Sequence, residues 1–190
     1  MDSKTIMDEI LKLLVKVERD GMHEFMDDFL GKSDFFTAPA STQYHSSFEG
    51  GLALHSLNVY RVFTHKNKIF KLGLSTDTVA ICGLLHDVCK ANFYVKDFRN
   101  VKENDVWVKK EIYKVEDSFP YGHGEKSVLI LQHYMELDQF EQMAIRWHMG
   151  FTEPKESWLA YQNALDMYPG IICLHTADLE ASKLMEKKKE

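Results

Sequence analysis

The sequence has only three cysteines and four prolines, and no stretch approaches the roughly 20 apolar residues that a membrane-spanning helix needs. The cysteines Cys82, Cys89 and Cys173 stand singly, with no Cys-x-x-Cys pair. This spacing excludes a zinc ribbon or a disulfide scaffold and predicts reduced thiols in apolar surroundings, which points to the cytoplasm. An excess of positive charge is also missing: 23 Lys and Arg stand against 29 Asp and Glu, for a net charge of −6 and a pI near 5.8. General binding to nucleic acid or to a membrane surface needs a basic face. The balance therefore excludes an extended nucleic-acid surface, though not a local basic pocket. The opening MDSKTIMDEILKLLVKVERD carries acids and lysines throughout and reads as neither a signal peptide nor a membrane segment. Internal repeats and low-complexity linkers are absent as well.

What is present is 45% hydrophobic residues over 190 positions, enough for one substantial core, so residues 1–190 are expected to form a single domain. Ile6, Ile10, Leu13, Leu14 and Val17 recur at helical spacing and predict a helix over 4–19, with Ser3 as its N-cap. A short helix over 21–30 is expected to stop at Gly31. The stretch 43–65 turns helical after Gly50-Gly51, and Ser75 or Thr76 starts the next helix. From 92 to 117 the pattern changes. Two segments rich in Val, Ile, Tyr, Phe and Trp flank Glu103-Asn104-Asp105, predicting a β-hairpin inserted into an otherwise helical protein. Helices then follow after Gly122, over 138–148, over ESWLAYQNALDMY, and from Pro169 onward. The closing EKKKE reads as a solvated tail.

Residues 79–90, VAICGLLHDVCK, hold the chemistry. A helix that buries Val79, Ile81, Leu84 and Leu85 has no packing reason to finish on His86, Asp87 and Lys90, because such groups cost several kcal/mol to desolvate unless paired or metal-bound. His55, His123, His148 and Asp178 complete an ordered set, each from a different predicted helix or helix end. Singly, each histidine has an ordinary explanation: His55 as a hydrogen-bonded helix residue, His123 as a cap, His148 as a cation on a helix C-terminus. Together, imidazoles and carboxylates converging from several helices are how a helical bundle holds a divalent metal.

The segments GGLALHSLNV, LLHDVCK, GHGEKSVLIL, IRWHMG and LHTADLEASK, in this order over residues 43–184, resemble the HD-domain superfamily of metal-dependent phosphohydrolases. The likeness is nearest to the HD domain that accompanies an OB fold in certain 3′ to 5′ exoribonucleases, but no OB-like strand set precedes it here. The resemblance implies an all-α HD-domain helical bundle. It also implies that His55, His86, Asp87 and Asp178 hold a first metal, that His123 and His148 add ligands for a second, and that Asp87 bridges the two. Lys90 would contact a substrate phosphate, making Asp87 and Lys90 the catalytic residues. The family often has a small Gly where Cys89 stands.

Imidazoles with carboxylates suit one or two ions of Fe, Mn, Co, Ni or Zn better than Mg or Ca. Such ions can hold a hydroxide and clamp a phosphoryl group. Lys90 and Arg146 are the cations near the motifs, with Arg61 farther off. His175, three residues before Asp178, is expected to orient a ligand, while Tyr44 and His45 would line the substrate entrance. His23, His65 and His133 read as surface residues. The expected function is hydrolysis of a phosphomonoester or phosphodiester of a nucleotide or short nucleic acid, with a small phosphorylated substrate as partner, no membrane, and a homodimer allowed. The alternatives are a noncatalytic nucleotide-sensing or partner-binding domain, with Phe93, Tyr94, Phe98, Trp107 and Tyr113 as its aromatic surface, and a di-iron oxygenase.

Overall fold

The computed structural model describes residues 2–42, 46–103 and 105–186, without the side chain of Glu103. It is a helical bundle with one hairpin. Helix α1 spans Ser3–Leu14. Its N-cap is Asp2 rather than Ser3, because the Asp2 carboxylate accepts the Thr5 N–H at 2.9 Å. A carboxylate there also complements the positive end of the helix dipole. The expected helix over 21–30 is mostly wound wider: α2 spans only Met22–Glu24 and runs into a π-helical turn over Phe25–Leu30.

Helix α3, Gly51–Ile69, runs through the centre, packed against α1, against α4 (Thr76–Leu85) and against α8 (Ile171–Glu180). Its central position explains why His55, Ser56 and Asn58 are buried along with Leu52, Leu57 and Phe63. Ser75 caps α4 by accepting the Thr78 N–H at 3.0 Å, as its position in the sequence predicts. A Cβ at Gly83 would lie 2.7 Å from the Tyr60 backbone, so glycine is what lets α4 approach α3. The same device brings α5, His123–Gln132, onto α6, Gln139–Trp147, where a Cβ at Gly124 would meet the Arg146 carbonyl at 2.2 Å. Helix α7, Trp158–Met167, completes the set.

A buried ion pair ties the loop after α1 to α6. Arg19 donates to both oxygens of Glu141 at 2.9 Å, and Glu141 is fully buried. That carboxylate also accepts the Thr78 hydroxyl and the Asp138 N–H, within a capping box that starts α6.

The predicted hairpin is present. Strands β1, Tyr94–Glu103, and β2, Val106–Val115, pair antiparallel from Tyr94↔Val115 to Glu103↔Val106. The residues between the two strand ends lie partly outside the described ones. Phe98 and Trp107 are exposed, at 54% and 70%. No helix among the described residues is long and apolar enough to cross a membrane.

Candidate metal centre

Helix α4 ends at His86, and the chain turns at Asp87 (φ −109°, ψ 19°) into a 3-10 turn over Val88–Lys90. This turn aims the Asp87 carboxylate back into the bundle, where its side chain is only 2% exposed. Four imidazoles face it. From its Oδ2 atom, His86 Nε2 lies 3.5 Å away and His55 Nε2 3.7 Å; from Oδ1, His123 Nε2 lies 2.7 Å away and His148 Nε2 3.4 Å. Asp178, near the end of α8, adds Oδ1 at 3.1 Å from His55 Nε2. The structure thus brings His55, His86, Asp87, His123, His148 and Asp178 together, and they form overlapping groups whose ligand atoms lie within 4.8 Å of one another.

Three of the rings are fixed in the orientation that leaves Nε2 facing inward. His86 Nδ1 donates to the Gly83 carbonyl at 3.1 Å and His148 Nδ1 to the Ile145 carbonyl at 2.6 Å, each reaching back three residues at a helix end. His55 Nδ1 is held by Glu186 at 3.0 and 3.2 Å. With Nδ1 protonated, Nε2 carries the lone pair that a metal takes. His86 Nε2 and His148 Nε2 are buried without a hydrogen-bond partner among the described residues. Two orphaned inward lone pairs around a carboxylate are costly unless a cation shares the space. The donor set therefore fits a divalent transition metal.

Burial drives the His86 imidazole down to about 3, so it is neutral at any working pH. Burial also opposes the charge on His55, but the Asp178 and Glu186 carboxylates outweigh it and hold the ring up at about 10. Asp87 is fully buried, which favours its neutral form, yet Lys90, His86 and His123 keep it well below the ordinary carboxylate range. Lys90 Nζ donates to Asp87 Oδ2 at 2.7 Å.

The family model for the HD domain matches residues 52–181. This chain belongs to the HD-domain family. Members of the family are mostly metal-dependent hydrolases, and this HD domain carries a His and Asp cluster able to bind a divalent metal. No curated protein and no solved structure is a significant match to it.

Other residues singled out in the sequence fall as follows. His175 Nδ1 donates to the His148 carbonyl at 2.7 Å, so it braces the turn that carries His148 rather than contacting Asp178 there. Arg146 is held between Glu125 and Glu153 and stacks over Trp147 at 4.0 Å. Tyr44 and His45 lie outside the described residues. All three cysteines are free and buried, and Cys89 borders the centre rather than filling apolar core. His23, His65 and His133 are exposed.

Two features of the site escaped the sequence. Glu186, expected in the solvated tail, is buried at 6% exposure and holds Ser46 Oγ and Asn58 Nδ2 as well as His55. A tail carboxylate carries no periodic signal to announce this. The second is a cavity of about 240 Å³ beside the centre, lined by Cys89, Lys90, Phe93, His123 and Lys126. Lys126 Nζ sits 2.6 Å from Asp117 and 5.1 Å from the centroid of the Phe93 ring.

Proposed function

We propose that this HD domain is a metal-dependent phosphohydrolase that cleaves a phosphomonoester or phosphodiester of a nucleotide or short nucleic acid. The observation that carries the reading is the convergence of four inward Nε2 atoms and the Asp178 carboxylate on Asp87, with the Lys90 ammonium on the same carboxylate. Both oxygens of Asp87 are used, one toward each side of the cluster, which suits a carboxylate that bridges two ions. His55, His86, Asp87 and Asp178 would hold the first divalent ion, and Asp87, His123 and His148 the second. Bound there, such ions supply Lewis acidity toward a phosphoryl oxygen and lower the pKa of water to near neutrality.

The residues supply the rest. The backbone carbonyls of Gly83 and Ile145 fix two of the imidazole ligands, and Glu186 fixes a third. Lys90 sits at the edge of the cavity, where its ammonium would meet a substrate phosphate, and Lys126 offers a second cation across the same space. Phe93 lines the same cavity, with Lys126 Nζ over its ring at 5.1 Å from the centroid, and a nucleobase would stack on the opposite face of that ring. Arg146 would reach a phosphate only by exchanging Glu125 or Glu153 for it.

The test is elemental analysis of protein purified without added metal, together with a screen of nucleotide and phosphodiester substrates. About two Fe, Mn, Co, Ni or Zn per chain with phosphate release, lost in His86→Ala, supports the reading. Unchanged turnover in that variant refutes it. The exposed aromatic hairpin favours a second reading, a metal-stabilised domain that binds a partner. Metal retention without turnover of any phosphoester would support that one instead.

A further inference from the structure

We propose that one face of the β1–β2 hairpin binds single-stranded nucleic acid, an inference that rests on the phosphohydrolase reading above and narrows its substrate to a phosphodiester strand. Side chains alternate between the two faces of a strand, and residues directly opposite each other share a face. The register sets Lys102 opposite Trp107, Phe98 opposite Glu111 and Lys96 opposite Tyr113. All four aromatic residues of the ribbon, Tyr94, Phe98, Trp107 and Tyr113, therefore stand on one face. Lys96, Lys102 and Lys109 stand there too, with Glu111 as the one carboxylate among the described residues of that face. The opposite face carries Val95, Val101, Val106, Val108 and Ile112, with no aromatic residue among the described ones. Two contacts across the strands agree with this sorting: Lys109 Nζ lies 4.5 Å from the Phe98 ring centroid, and Lys96 Nζ lies 3.3 Å from Glu111 Oε1.

Charge identifies the occupant. Residues 94–115 carry six Lys and Arg against four Asp and Glu, the reverse of the balance that gives the whole chain −6. An anionic strand is therefore steered to the ribbon rather than to the body of the domain. Rings interleaved with ammonium groups match the alternation of base and phosphate: bases stack on aromatic side chains with little regard to sequence, and lysines track the backbone. In a duplex the bases are already stacked and paired, so the fit is to a single strand. Lys109 covers one side of the Phe98 ring and leaves the other for a base. The pairs of Lys96 with Glu111 and Lys102 with Asp105 are exposed, and such pairs exchange readily for a phosphate. From Lys96 to Lys102 the face runs roughly 20 Å, at about 3.3 Å per residue, a span of several nucleotides. It leads to the centre, because Phe93, the residue before β1, lines the cavity with Lys90 and Lys126.

The experiment is fluorescence anisotropy of the full chain with a labelled oligothymidylate of about 12 nucleotides, in EDTA so that the strand is not cut. The wild type is expected to bind it, and to bind a duplex of the same length about tenfold more weakly because the bases cannot stack on the rings. Its log affinity should fall with log salt at a slope of about −2, for three phosphate contacts. A Phe98→Ala, Trp107→Ala double variant should bind about 30-fold more weakly at unchanged slope, the loss of two stacked bases. Lys102→Ala with Lys109→Ala should flatten the slope to about −0.7. Arg99→Ala with Lys110→Ala removes the same charge from the opposite face and should keep the affinity within about twofold at physiological salt. No binding by the wild type, equal binding of the duplex, or an equal loss in the opposite-face variant overturns the proposal. So does a dimer in sedimentation that the Phe98→Ala, Trp107→Ala variant dissociates while the strand does not bind, which marks the face as an interface between copies. Turnover of bis(p-nitrophenyl) phosphate by a wild type that does not bind the strand overturns this proposal alone. Strand binding through this face with no phosphoester turned over supports the surface and overturns the hydrolase reading.

Discussion

Replacing Glu186 tests how the centre is built, because the sequence assigns that residue to a charged tail and the structure assigns it to His55. Its two oxygens accept from His55 Nδ1 at 3.0 and 3.2 Å, from Ser46 Oγ at 2.8 Å and from Asn58 Nδ2 at 3.2 Å. Glu186→Ala removes the shared acceptor of three buried donors. Each buried donor left unsatisfied costs about 1 to 3 kcal/mol, and water admitted by the smaller side chain recovers part of this. A net loss of about 3 kcal/mol is expected, or roughly 6 to 12 °C in melting temperature for a chain of this size. The effect on metal is separate. A carboxylate on the far nitrogen of a ligating imidazole commonly contributes 10- to 100-fold in affinity, so Glu186→Ala should weaken the first ion by about that factor. Glu186→Gln keeps the shape and one acceptor oxygen and should fall between. Chelator competition with a fluorescent zinc indicator measures the affinity, and thermal melts of the chelated protein measure the stability. If Glu186→Ala changes neither, the residue is solvated and the account of how His55 is oriented is wrong.

Asp87→Ala should abolish retention of both ions and cut hydrolysis by about three orders of magnitude, the several kcal/mol that metal-ion catalysis supplies; metal analysis and phosphate release check this together. Arg19→Ala leaves the fully buried Glu141 without its bidentate partner and should cost about 3 kcal/mol by denaturant unfolding with the metal content unchanged; a loss under about 1 kcal/mol would refute the pairing argument. In chelated protein, His55 titrates at about 10 against 6.5 in the unfolded chain, so its stabilising contribution is complete below pH 6.5 and is lost as pH rises through 10. His86 works in the opposite sense: its folded value of about 3 means the unfolded chain takes up the proton first, so stability falls as pH drops from 6.5 toward 3. Melting temperatures across that range should therefore peak near pH 6.5. Loading the first ion at pH 8 should release about one proton, from His55, measurable by calorimetry in buffers of different ionisation enthalpy.

The cluster around Asp87 was legible in the sequence because polar groups at the end of an apolar helix need a reason, and the hairpin because its residues change period. The ordinary and functional readings of the helix-end histidines turn out to be compatible. His86 and His148 are both C-cap residues of their helices, each satisfying a carbonyl three residues back with Nδ1, and both turn Nε2 toward Asp87. One ring nitrogen does the helix-end work and the other is left for the centre. The contact of Glu186 with His55 and the places of Lys126 and Phe93 in the cavity were not legible, since each depends on a tertiary contact that no local pattern encodes. The N-cap at Asp2 was missed by one residue because Ser3 is an equally good capping type, and only backbone geometry separates the two.

The charges around Asp87 carry one more consequence. Without metal, the carboxylates Asp87, Asp178 and Glu186 face the Lys90 ammonium and a protonated His55, three negative charges against two positive, or −1 in all. A first divalent ion that displaces the His55 proton brings the sum to zero, so it enters with electrostatic help. A second ion would raise the sum to +2 in a space that is almost entirely buried, and the cost of such uncompensated charge is high. The phosphate of a substrate in the neighbouring cavity can offset it. The second position should therefore bind its ion more weakly than the first, and more tightly when inorganic phosphate is present. Equal affinities that ignore phosphate would mean that the two sides of Asp87 are not the two metal positions.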